Sequence, residues 1–347
     1  KAGLWANISK SSRMMFQSLI LGLGGLLAIH LEVSAGMMIA GSIVMGRALA
    51  PIDLIIGSWK GFASARTSYQ RLDSILAEFP EDKEYMKLPA PAGNVSLENV
   101  VVVPPGATQP SIRGISMQIN QGDVVGIIGP SAAGKSSLAR VILGLWPLAS
   151  GKSRLDGADI YQWNKDDLGE YIGYLPQDIE LFEGTISENI ARFGEIIPEK
   201  VVEAAQKAGV HDMILRLPDG YDTKIGMGGI ALSGGQRQRI GFARAVYNNP
   251  VLVVLDEPNS NLDDQGELAL INAVQNLRNT GTTVVVITHR QSILKVTNKL
   301  AVINQGLLQL YGPTAEVIAK LNQNVQAQQP APQPQVPAQT ISLSKPS

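Results

Sequence analysis

An apolar run, Val124-Val125-Gly126-Ile127-Ile128, leads into Gly129-Pro130-Ser131-Ala132-Ala133-Gly134-Lys135-Ser136, and a helical stretch follows from Ser137 to Leu145. The octapeptide fits G-x-x-x-x-G-K-[ST], set between a strand and a helix. That setting constrains the fold strongly, because a strand entering a helix through a Gly-rich loop belongs to an α/β sheet. The glycines allow backbone N–H groups to wrap a polyphosphate, and the helix N-terminus adds positive dipole. Lys135 is the expected partner of the β- and γ-phosphates, and Ser136 an expected ligand of Mg²⁺.

A second helix start of this kind lies downstream. Leu232-Ser233-Gly234-Gly235-Gln236 opens a helical stretch from Arg237 to Tyr247, and Val251-Leu252-Val253-Val254-Leu255-Asp256-Glu257 follows. A serine and two glycines at a helix start form another anion site. One nucleotide does not need two such starts within one protomer. The second is therefore expected to cap the γ-phosphate of a nucleotide held by a neighbouring copy. The run 251–255 is short, continuous and β-branched, as a buried parallel strand is. It delivers Asp256 and Glu257 to its C-terminal edge, where open α/β sheets bind ligands. Asp256 suits the Mg²⁺ shell, and Glu257 suits polarising an attacking water.

Together these residues resemble the nucleotide-binding domain of an ABC transporter. The resemblance makes 129–136 the Walker A loop, 232–236 the signature and 251–256 the Walker B strand, with Glu257 after it. Gln177, in Tyr174-Leu175-Pro176-Gln177, resembles the Q-loop glutamine that contacts Mg²⁺ and senses the membrane domain. Glu183-Gly184-Thr185-Ile186-Ser187-Glu188-Asn189-Ile190 resembles the exporter segment that touches coupling helices. Ser260-Asn261-Leu262-Asp263 resembles the D-loop, and His289, after Val284-Val285-Val286-Ile287-Thr288, the switch histidine. The resemblance implies an ABC-type P-loop ATPase fold with a helical subdomain, and ATP and Mg²⁺ as its ligands. It implies nucleotide contacts from Gly129 through Ser137, from Ser233, Gly234, Gly235 and Gln236, and from Asp263. It places Mg²⁺ on Ser136, Gln177 and Asp256, and catalysis on Glu257, His289 and Gln177.

Two positions depart from the family pattern. Where the family carries an aromatic ring to stack on adenine, this chain has Val102-Val103-Pro104-Pro105-Gly106. Pro104 offers an apolar face but no π-stack. Ala132 stands where many members have glycine, and its methyl fits if φ stays negative.

Composition narrows the partners. The chain has 347 residues, a net charge of −1 and no cysteine. Balanced charge argues against a nucleic-acid binder that works by bulk electrostatics, so Arg237 and Arg239 read as helix-surface charges. With no cysteine, neither a disulfide framework nor a Cys-based metal site is available. The histidines, at 30, 211 and 289, are too scattered for a His-based site.

The first 60 residues suit a different solvent. Met14 to Ile29 and Val33 to Gly46 are uncharged and apolar or small-residue rich. Each falls short of the ~20 residues of a spanning helix, but flanking residues extend both. Two runs joined by a tight turn do not read as a signal peptide; a buried soluble hairpin is the alternative to a transmembrane one. Lys1, Lys10 and Arg13 precede the pair, Lys60, Arg66 and Arg71 follow it, and the turn at His30-Leu31-Glu32 lacks Lys and Arg. The positive-inside rule then puts both ends in the cytoplasm. Arg47 and Asp53 are expected at a water-filled path, a partner helix or the cytoplasmic interface. Pro51 is expected to kink or relax the helix.

The segment around Met45–Pro51, Trp59-Lys60, Ala65-Arg66 and Arg71-Leu72 narrows the resemblance to type I secretion ATPases of the protease and lipase exporter branch. That implies an inner-membrane, multi-pass protein with its ATPase in the cytoplasm. It also implies a second copy arranged head-to-tail, a periplasmic adaptor, an outer-membrane channel and an unfolded polypeptide substrate. A lipid or peptide exporter, a soluble ABC-type ATPase and a nucleotide-binding remnant are the alternatives. The expected organisation is a membrane hairpin with a cytosolic extension over 1–78, a linker over 79–93, the ATPase over 94–323 and a disordered Gln/Pro/Ala-rich tail over 324–347. The span from Gly129 to Asp256 far exceeds a ~30-residue βαβ unit, so an inserted subdomain near 185–245 is required. The chain begins with Lys1 and shows fewer membrane helices than the family's exporters need, so it reads as the C-terminal part of a longer protein.

Overall fold

A computed structural model describes residues 2–78, 88–226 and 229–328. The chain divides into two units, Lys1–Glu84 and Tyr85–Ser347.

The first unit is a helical hairpin, α1 (Ala2–Ile29) and α2 (Ala35–Glu78). Both helices are long and apolar enough to cross a membrane by length and composition. At Gly24 the helices approach closely: a Cβ there would lie 2.8 Å from Met38 Cγ. Glycine at this position leaves room for the Met38 side chain of the opposite helix. α2 runs unbroken from the second apolar run through Pro51 to Glu78. Arg47 is exposed on it, and the Asp53 side chain lies outside the described residues.

The linker expected at 79–93 is described only from residue 88. Its end is pinned by Asp156, whose carboxylate accepts the N–H groups of Ala92, Gly93 and Asn94 at 2.7, 2.9 and 3.1 Å. Those bonds hold the Asp156 carboxyl below its usual pKa against the opposing effect of burial.

The second unit is built on two larger sheets. The outer one is antiparallel, in the order β2 (Ile112–Ile119), β1 (Val95–Val102), β4 (Ser150–Leu155) and β5 (Ala158–Asp159). The inner one has the order β12 (Leu307–Pro313), β11 (Lys299–Asn304), β3 (Val124–Ile128), β10 (Thr283–Ile287), β9 (Leu252–Asp256) and β6 (Ile172–Leu175). All its neighbours pair parallel except β11 with β12. Every residue of β9 and β10 is buried, which is why they read as continuous apolar runs rather than alternating ones. The order carries the function: β3, β10, β9 and β6 lie side by side and all end at one edge.

Helix α3 (Lys135–Ile142) follows β3 and stops sooner than Leu145. Gly144 (φ +64) ends it, with Gly144 N bonded to Val141 O and Leu145 N to Arg140 O, a Schellman closure. Between β4 and β9, α4 (Lys165–Tyr171) precedes β6. The inserted subdomain carries β7 (Gly184–Thr185), α5 (Ile186–Ile190), α6 (Pro198–Lys207), α7 (His211–Leu215), β8 (Lys224–Ile225) and α8 (Gly234–Val246). Arg192 staples it to the sheet: its guanidinium donates to the carbonyls of Arg244, Ala245, Gly169 and Ile172. After β9 come α9 (Asp264–Asn279), α10 (Gln291–Leu294) and α11 (Thr314–Gln328). α11 runs into the segment expected to be a disordered tail, so that boundary moves; residues 329–347 lie outside the described residues.

Candidate nucleotide site

The loop from β3 to α3 packs too tightly for side chains at its two glycines. A Cβ on Gly129 would lie 2.0 Å from Ile303 O, and one on Gly134 (φ +99) 2.5 Å from Ser111 O. Ala132 corrects the expectation of a negative φ: it stands at +61°. It is the third residue of a turn closed by Ala133 N on Pro130 O at 3.3 Å, the place that carries positive φ in a type II turn. A methyl in this region costs about 1–2 kcal/mol, so the loop accepts local strain where glycine would fit freely.

Lys135 is nearly buried at 6 % exposure, and its Nζ donates to the carbonyls of Gly129 and Pro130 at 3.0 and 2.8 Å. Burial lowers the pKa of its ammonium, and the charges of Glu257 and Asp256 oppose that. Ser131 through Ser137 line a cleft of 260 Å³ together with Ser111, Gln177, Glu257 and His289.

Three residues named as catalytic from sequence meet here. Gln177 Nε2 donates to Glu257 Oε2 at 3.1 Å, and His289 Nε2 lies 3.2 Å from Glu257 Oε1. They arrive from the ends of β6, β9 and β10, so parallel strand order rather than chain proximity assembles them. Glu257 has φ +50, a rare conformation for a residue with a side chain. Its N–H bonds to Ile287 O at 2.9 Å and its carbonyl accepts from Ser260 N at 3.2 Å, which holds the bend. Non-glycine residues in this region persist where their surroundings over-determine them, and they cluster at active sites.

Asp256 lies just beneath, at 2 % exposure, and its Oδ1 has no hydrogen-bond partner. Burial raises its carboxyl pKa and the Glu257 charge adds to that; a hydrogen bond from Ser136 and the charges of Arg140 and Lys135 work against it. A buried carboxylate oxygen without a donor, beside a hydroxyl, suits a hard divalent cation. Asp256, with the Ser136 hydroxyl beside it, therefore fits Mg²⁺.

The second set of expected nucleotide contacts stands apart from this cleft. Ser233 caps α8: its Oγ accepts from Gln236 N at 3.2 Å, and Gln236 Oε1 accepts from Ser233 N at 2.8 Å. Gln236, expected to touch nucleotide, has its side chain engaged in that capping box. Gly234 and Gly235 face Asn261, where a Cβ on Gly235 would lie 2.9 Å from Asn261 O. Asp263, also expected at nucleotide, caps α9 through Gly266 N at 2.9 Å and pairs with Arg239 Nη2 at 3.2 Å. None of these residues lines the cleft of its own chain.

Sequence reasoning missed several members. Ser111 lines the cleft from the start of β2 and belongs to no motif. Glu267 of α9 accepts from Arg290 Nη1 at 2.5 Å and from Ser292 Oγ, tying α9 to the loop that carries His289. Gln238, two residues past the signature, is buried against the loop after Glu257.

The family profile described as ABC transporter matches residues 112–260, a span that takes in the loop 129–136, the signature, Asp256 and Glu257. Residues 112–260 are an ABC transporter domain. The chain is 49 % identical over 315 residues to the type I secretion system ATP-binding protein PrsD of Rhizobium meliloti, covering 90 % of this chain and 54 % of that protein. It is 34 % identical over 304 residues to the leukotoxin translocation ATP-binding protein LktB of Mannheimia haemolytica, covering 87 % of this chain and 43 % of that protein. The chain thus spans about half the length of the curated relatives it matches. Among solved structures, a bacterial Atm1-family ABC exporter with ATP bound superposes with a TM-score of 0.74 at 26 % identity, over 91 % of this chain and 58 % of that one. That ABC exporter fold accommodates both the nucleotide-binding domain and an apolar helical hairpin.

Proposed function

We propose that this chain is the ATP-hydrolysing part of an ABC exporter and drives type I secretion of an unfolded polypeptide across the inner membrane. The observation that carries the reading is the convergence of Gln177, Glu257 and His289 over the Lys135 loop. In the proposed reaction, N–H groups of 131–137 and the Lys135 ammonium hold the β- and γ-phosphates. Ser136, Asp256 and Gln177 would hold Mg²⁺, which would supply charge neutralisation for phosphoryl transfer. Glu257 accepts a hydrogen bond from the attacking water and orients it toward the γ-phosphorus. The β–γ bridging bond breaks, ADP leaves with the bridging oxygen, and the water's proton passes to phosphate or solvent. His289 and Gln177 hold the Glu257 carboxylate from its two oxygens, so its direction is set before substrate arrives.

The signature residues act on the nucleotide of a second copy in this reading, which a head-to-tail dimer supplies. Their absence from the lining of the chain's own cleft supports it. Export as the task is supported by the likeness to the type I secretion protein PrsD and the leukotoxin translocation protein LktB. The apolar hairpin supports residence in the inner membrane with the ATPase in the cytoplasm. A periplasmic adaptor and an outer-membrane channel complete the route.

Mixing tests the composite site. A Lys135→Ala chain and a Ser233→Arg chain are each expected to be inactive alone. Combined, they form heterodimers with one intact site, and partial ATPase activity returns. Absence of recovery, with both variants folded and associating, rejects the arrangement.

A further inference from the structure

The side chain of Gln238 is 2 % exposed and lies on α8, five residues after Ser233. All its polar atoms point to the loop after β9. Its Nε2 donates to the Glu257 carbonyl at 3.2 Å and to Ser260 Oγ at 3.4 Å. Its Oε1 accepts from Asn261 N at 3.0 Å. Asn261 in turn backs directly onto Gly234 and Gly235 at the head of α8. One buried amide thus joins the helix whose first residues do not line the chain's own cleft to the backbone that bends Glu257 into the cleft.

We propose that Gln238 is a positioning residue that couples the two nucleotide sites of the dimer by bonding the signature helix of each protomer to that protomer's own Glu257. The inference rests on the composite-site reading above. Glu257 needs its positive φ to bring its carboxylate between Gln177 and His289, and a carbonyl held by Gln238 and Ser260 N keeps the peptide from flipping out of that bend. When the head of α8 is drawn toward a partner's nucleotide, Gln238 moves with it and carries the Glu257 carbonyl and Asn261 along. Closure over one nucleotide then sets the carboxylate that serves the other. A purely apolar contact at this position would pack the helix but could not fix the orientation of a peptide plane, because dispersion is not directional whereas a hydrogen bond to a carbonyl is.

The test is Gln238→Met in the full chain in lipid. Methionine keeps the volume and removes both the donor and the acceptor. ATP binding, set by the Lys135 loop, stays as in the parent. Turnover at saturating ATP falls about ten- to hundredfold, as misplacement of a reacting group does. The Hill coefficient of ATP hydrolysis falls to one. A variant that only loses thermal stability, with parental turnover and cooperativity per folded molecule, overturns the proposal. Hydrogen exchange on the unmodified chain is a second measurement that does not depend on the variant folding. The Asn261 amide, despite its exposed loop, is expected to exchange at least about a hundredfold more slowly than an open amide. Rapid exchange there also overturns the proposal. Parent protein that does not hydrolyse ATP, or that shows no recovery in the mixing experiment, overturns the composite-site reading as well. Parental behaviour of Gln238→Met with recovery intact removes the Gln238 assignment alone.

Discussion

Asp256→Asn is expected to make the protein more stable in Mg²⁺-free buffer while removing its turnover. The carboxylate is 2 % exposed, sits beside Glu257 and leaves Oδ1 without a donor. A buried polar group without its hydrogen bond costs about 1–3 kcal/mol, and more when charged. Ser136, Lys135 and Arg140 offset part of that. Asparagine keeps the shape and removes the charge, so a net gain of about 1–2 kcal/mol is expected from relieving that desolvation. For a domain of this size that is a rise in Tm of about 2–8 °C. Trp146 and Trp163, the second packed at 4 % exposure, report the transition by intrinsic fluorescence. The pH dependence has a definite sign. Because burial raises the Asp256 carboxyl, the folded chain holds its proton more tightly than the unfolded chain does. Stability is therefore lost as pH rises through the folded value. The advantage of Asp256→Asn is full above that value and vanishes below the unfolded one. Added Mg²⁺ reverses the order, since it stabilises only the parent, by about 2.7 kcal/mol at a hundredfold excess over Kd. An Asp256→Asn variant no more stable than the parent at neutral pH in EDTA refutes the reasoning.

The remaining predictions concern the same cleft. Glu257→Gln keeps the bonds to Gln177 and His289 in shape but loses the carboxylate. Nucleotide binding is expected to persist, with single-turnover hydrolysis at least about a hundredfold slower, and wild-type turnover would remove Glu257 from its role. With Pro104 and its valine neighbours where the family carries a stacking ring, the chain is expected to forgo ~0.5–1.5 kcal/mol of aromatic stacking on the base. ATP and GTP should then compete within about tenfold, and a preference for ATP above about a hundredfold means another residue reads adenine. Pro104→Tyr is expected to tighten ATP more than GTP in the same competition assay.

Much of the site is legible in the chain because its chemistry is local. A phosphate loop must be a glycine-rich turn between a strand and a helix, and 129–136 shows this in consecutive residues. A buried parallel strand must be continuously apolar, which marks 251–255 and 284–287 and places Asp256 and His289 at strand ends. The helical hairpin is similarly legible, since its two long apolar runs give helices long enough to cross a membrane. What the sequence left open depends on residues far apart. The sign of φ at Ala132 follows from the Pro130–Ala133 turn, not from the alanine, and it came out opposite to expectation. The contacts among Gln177, Glu257 and His289 exist because β6, β9 and β10 are neighbours in the sheet, an order that no local pattern encodes. Gln236 and Asp263 carry nucleotide-site motifs, yet their polar atoms cap α8 and α9, because each helix start leaves N–H groups that the nearest side chain satisfies. Gln238 had no motif at all. Its meaning comes from burial against the Glu257 carbonyl, and only the tertiary fold brings a helix and a strand end close enough for one amide to join them.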